Sequence, residues 1–76
     1  MTFHDLQIIT SKNEKIPKGS YSFNVELPNE ALCIFRRGEE WEVYYSERGK
    51  KTNLVTFKIE SEACEYFYKH LLKMIE

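Results

Sequence analysis

Residues 31–47 read ALCIFRRGEEWEVYYSE, and the alternation within them decides the fold. Apolar side chains recur at every second position, Leu32 and Ile34, then Trp41, Val43 and Tyr45, which is the period of a half-buried strand. Pairing Arg37 with Glu40 across Gly38 and Glu39 sets Arg36 opposite Trp41, Ile34 opposite Val43 and Leu32 opposite Tyr45. A slip of one residue would send these partners to opposite faces, so the pattern itself selects the register. The other face carries Cys33, Phe35 and Tyr44 among Glu40 and Glu42. That is more apolar surface than a solvated sheet normally shows, and it calls for a cover that another molecule could supply.

Outward from this hairpin, residues 54–59 (LVTFKI) return as a third strand, with Val55, Phe57 and Ile59 on one face, after a polar loop over residues 47–53. Residues 61–73 have the strongest helical signature. Ala63, Met74, Phe67, Leu71, Cys64, Ile75 and Tyr68 fall within an arc of ~140°, with Glu62, Glu65, Lys69 and Lys73 opposite. Ser61 is the expected N-cap, and the acidic start and basic end suit the helix dipole. Toward the N-terminus, residues 2–13 predict a helix with Phe3, Leu6 and Ile9 or Thr10 at helical spacing and a Thr2/Asp5 capping box. KIPKGS (residues 15–20) ends it, residues 21–25 suggest a short edge strand, and LPNE (residues 27–30) breaks the chain again.

The expected fold is therefore α+β: a helix, an antiparallel meander of three to four strands, and a C-terminal helix packed on one face of the sheet. With 76 residues the chain holds one domain, residues 1–76, near the lower limit for a single apolar core. Aromatics at 14% let a small core suffice. Which face the N-terminal helix covers is left open by the sequence.

Eleven Lys and Arg against twelve Asp and Glu leave a net charge of −1, without the positive excess on which nucleic-acid binders depend. Glu39, Glu40, Glu42 and Glu47 form an acidic stretch, and Arg48, Lys50 and Lys51 follow at once. The helix–meander–helix order is also that of double-stranded RNA-binding domains, but these need lysines where this chain has Glu62 and Glu65. A small adaptor or nucleic-acid-binding domain is thus the weaker alternative. Residues 1–13 lack the parts of a signal peptide, and no apolar run approaches 18 residues, so a cytoplasmic protein without a membrane partner is expected.

No enzyme is expected. Cys33 and Cys64 sit in apolar runs as small hydrophobes, and Cys33 lies within a strand rather than at a helix start that would lower its pKa. Cys64 and His70 are six residues apart on one helix, on different faces. His4 and His70 with two separate cysteines do not make a zinc signature, and no cofactor is indicated.

The segments LPNEA (residues 27–31), WEVYYSERG (residues 41–49) and EACEY (residues 62–66) resemble a family of small bacterial proteins that act as immunity partners of polymorphic or contact-dependent toxins. The resemblance covers roughly residues 27–73. It implies a stoichiometric role, in which the chain binds a cognate toxin domain and occludes its active or substrate-binding site. A basic, nuclease-like partner surface would meet an acidic hairpin end, with an aromatic anchor beside it. On this reading the contacts are Glu39, Glu40, Glu42, Tyr44, Glu47 and Arg48, with Phe35 as anchor. The competing reading is that the glutamates are merely solvated, Phe35 and Tyr44 lie under the first helix, and residues 46–49 form a turn. An open sheet edge would also permit a homodimer.

Overall fold

Thr2 opens the first helix, α1 (Phe3–Lys12): its hydroxyl accepts the Asp5 amide at 3.1 Å while the Asp5 carboxylate accepts the Thr2 amide at 3.2 Å. The sequence-predicted capping box is thus formed, and it holds the Asp5 carboxyl below its ordinary pKa. The computed structural model describes residues 1–75. After α1 come one 3-10 turn (Lys18–Ser20), β1 (Tyr21–Phe23), β2 (Ala31–Arg37), β3 (Glu40–Glu47), β4 (Lys50–Phe57) and α2 (Glu60–Met74).

The strands form one sheet in the order β1-β2-β3-β4. Between β2 and β3 the register is the one the alternation selects, with Arg37 opposite Glu40, Ile34 opposite Val43 and Leu32 opposite Tyr45. Gly38 supplies the positive φ of 65° that this tight connection needs.

Three features depart from the expected meander. β1 pairs with β2 in parallel, Tyr21 beside Leu32 and Phe23 beside Ile34, so the sheet is mixed rather than wholly antiparallel. The chain reverses twice between them, through left-handed residues at Asn24 (φ 56°) and Leu27 (φ 48°), so β2 starts beside the start of β1. Second, the polar loop expected over residues 47–53 shrinks to a two-residue turn at Arg48 and Gly49, both with positive φ, and β4 begins at Lys50. Third, α2 begins at Glu60, and Ile59 rather than Ser61 occupies its N-cap position, without a side-chain bond.

Both helices lie on the same face of the sheet. Leu6 of α1 and Ala63, Cys64, Phe67 and Leu71 of α2 join Leu32, Ile34, Trp41 and Val43 in one buried cluster. Phe3 packs between Trp41 (5.3 Å between centroids) and Phe23 (5.8 Å, edge to face), which ties α1 to the short strand β1. The helical arc read from the sequence faces this core except at its end, where Met74 is exposed.

Candidate partner-binding surface

The middle of the second face of the sheet, around Cys33, Tyr44 and Ser46, is covered by the chain itself, while Phe35 stays half-buried and Leu54 exposed. Residues 24–30, which link β1 to β2, cross it and bind it at three points. The Cys33 thiol donates to the Val25 carbonyl at 3.1 Å, the Leu27 amide donates to the Tyr44 hydroxyl at 3.1 Å, and the Ser46 hydroxyl donates to the Pro28 carbonyl. Tyr44 is left only 1% exposed and Cys33 fully buried. The expectation that another molecule shields this face is therefore corrected for Cys33 and Tyr44, though not for the half-buried Phe35. The cover is the connection over residues 24–30, which includes the LPNE break, and it is not the first helix either.

An ionic cluster fastens the same segment. Glu42, 8% exposed, accepts from Arg37 at 3.2 Å and from Lys51 at 3.1 Å, and Glu26 of the covering segment pairs with both cations. The Arg37 guanidinium holds the Glu26 carboxyl below its ordinary pKa, and Glu26 in turn raises that of Arg37. Lys51 also sits 5.0 Å from the Tyr44 ring centroid. Desolvation pushes the Tyr44 phenol up to about 12, so it stays a neutral hydroxyl at any physiological pH. Burial likewise raises the Cys33 thiol and lifts Cys64 to about 11, away from the thiolate a nucleophile requires.

Of the seven residues singled out in the sequence, Phe35 is half-buried on β2 opposite Glu42, and the other six fall in three places. Glu42 and Tyr44 lie beneath the covering segment, where a partner would reach them only by displacing it. Glu47 and Arg48 are exposed at the β3–β4 turn. Glu39 and Glu40 are exposed at the β2–β3 turn, a full β3 strand away, about 25 Å at 3.3 Å per residue. A single patch containing all seven is excluded by this geometry.

At the Glu39 end the charges are sorted by local contacts. Arg36 donates to the Gly38 carbonyl at 3.1 Å and stacks on Trp41 at 5.6 Å. Arg37 is committed to Glu26 and Glu42 and lies 5.0 Å from the Phe35 ring, which is half-buried. Glu39 and Glu40 make no ion pair among the described residues. The turn therefore presents two unpaired carboxylates near Phe35, with the exposed Arg36 cation, itself without a carboxylate partner among the described residues, laid against Trp41. Val25 (54% exposed) and Leu27 (40%) of the covering segment add outward-facing apolar surface that sequence reading missed. Its signal was only the LPNE break.

The histidines are separate. His4 is exposed on α1, and His70 stacks on Tyr66 with centroids 4.0 Å apart while its Nδ1 lies 3.0 Å from the Tyr66 carbonyl. Among the described residues no group of three or more His, Cys, Asp or Glu side chains is placed to hold a metal ion, and no helix is long and apolar enough to cross a membrane. Comparisons with protein-family models, with curated proteins and with solved structures give no match to this chain.

Proposed function

We propose that the chain is a non-catalytic binding protein, acting in the cytoplasm, that neutralises a cognate toxin domain by occluding its active or substrate-binding site. The observation that carries this reading is the β2–β3 turn, where both arginines are held in internal contacts and Glu39 and Glu40 stand free beside Phe35. A hairpin end with two unpaired carboxylates suits a basic cleft, where complementary charge sets association rate and an aromatic ring adds contact area. The segments that resemble immunity partners support the same reading.

The test is co-expression of the chain with the toxin encoded beside its gene. Cells should survive, and the Glu39→Lys, Glu40→Lys double variant should slow association with the purified toxin domain by about tenfold at low salt. Continued killing by the toxin in the presence of folded chain overturns the proposal. The adaptor or nucleic-acid alternative draws on the helix–sheet–helix order. Against it stand Glu62 and Glu65, exposed on the first turns of α2, whose charge repels phosphate.

A further inference from the structure

β4 is an edge of the sheet, and nothing among the described residues pairs with its outer side. An edge strand points alternate backbone N–H and C=O groups away from its neighbour, where another extended chain can take them. The opposite edge is only the three-residue β1, whereas β4 runs for eight residues. Leu54 (45% exposed) lies on the outer face of this strand, and Ile59 (53%) follows its end.

On the helix face, a cleft of about 490 Å³ borders the same strand. It is lined by Tyr45 and Asn53 of the sheet and by Tyr66, His70, Lys73 and Met74 of α2, over a floor that includes Leu32 and Val43. Asn53, with φ 54°, marks a bulge at which β4 gains one residue against β3. α1 occupies the other flank of α2, where Asn13 donates to the Tyr68 hydroxyl at 3.4 Å, so among the described residues the Tyr66 and His70 flank is the one left uncovered.

Charge narrows the occupant. Residues 48–58 (RGKKTNLVTFK) contain four cations and no carboxylate, in a chain whose net charge is −1. Lys51 is held by Glu26 and Glu42, while Arg48, Lys50 and Lys58 make no ion pair among the described residues. A second copy fits poorly. Antiparallel self-pairing centred on Leu54 would set Lys50 against Lys58 of its mate, and like charges across strands repel. Nucleic acid would meet the cations but would leave the backbone groups and the apolar cleft unused.

We propose that the β4 edge docks an extended, acidic segment of a partner protein, which adds as a fifth strand along residues 54–57 and places one apolar side chain in the cleft beside Tyr66. This goes beyond the carboxylate end of the hairpin and holds whether or not the partner is a toxin domain.

The experiment uses the intact chain and a blocked eight-residue peptide that alternates threonine with apolar residues, has a central phenylalanine and ends in glutamates. Binding should slow amide hydrogen exchange in residues 54–57 and shift the Tyr45 and Tyr66 ring resonances. Methylating alternate peptide nitrogens should abolish it, and Lys50→Glu with Lys58→Glu should weaken it about tenfold. Absence of binding at millimolar peptide, or binding indifferent to backbone methylation, overturns the proposal. So does displacement of the peptide by an RNA duplex that binds more tightly, which would reassign the cations to phosphate. Toxin protection can fail while this binding persists, and the reverse, so the two proposals are separable.

Discussion

The carboxylate of Glu60, the first residue of α2, accepts the backbone amide of Phe3, the first residue of α1, at 2.6 Å. One side chain therefore satisfies an otherwise free N–H at the start of a helix 57 residues away and places negative charge at that helix's positive end.

Glu60→Ala should accordingly destabilise the protein by about 1 kcal/mol, the usual worth of a helix cap. In a domain of this size that lowers Tm by roughly 4–8 °C. Glu60→Gln keeps an acceptor oxygen and should lose less. Thermal unfolding of the two variants side by side checks the order, and equal losses would show that the contact contributes nothing.

Tyr44→Phe removes the acceptor for the Leu27 amide and leaves the ring in place. The expected cost is about 1 kcal/mol, with faster exchange at the Leu27 amide. Thiol reagents should reach Cys33 sooner, while Cys64, buried on the core side of α2 at the other face of the sheet, should react at its parental rate.

Acid should loosen the same segment. Because Glu26 has a lowered pKa in the folded protein, its contribution is complete above the ordinary carboxylate range and is lost as pH falls through the folded value. The protection of residues 24–30 against exchange, taken relative to the intrinsic rate at each pH, should therefore fall across that acidic window. In Glu26→Gln that protection should be low at neutral pH already and flat through the window; a protection profile unchanged from the parent's would remove Glu26 from the mechanism.

Thr10 is buried in α1, and its hydroxyl has no hydrogen-bond partner among the described residues. Thr10→Val keeps the branched shape and removes the unmet polar group. Stability should rise by about 1 kcal/mol, read as a higher denaturant midpoint at unchanged slope.

The sequence made some of this legible for identifiable reasons. Alternation between Leu32 and Tyr45 is uninterrupted, so the hairpin register could be read directly. At β4 the bulge at Asn53 breaks the phase: Thr52 pairs with Tyr45 and Val55 with Val43, three residues against two. No single alternation spans that strand, and its first half looks like loop. Ser61 is a reasonable cap by residue type, but α2 starts earlier and Glu60 turns its side chain to the other helix. The candidate surface was hardest to read. The burial of Glu42 and Tyr44 depends on contacts made by a seven-residue connection, and nothing local in EEWEVYYSE announces them.

The shield over Tyr44 is also the tether that holds β1 at the sheet margin, with Asn24 donating its amide to Ile34 at one end and Ala31 entering β2 at the other. Prying up Val25 or Leu27 would tug on Phe23 and, through it, on Phe3 and Phe67 beneath the helices. The two sides of this sheet are consequently mechanically linked: a molecule that grips one layer can strain the other without touching it.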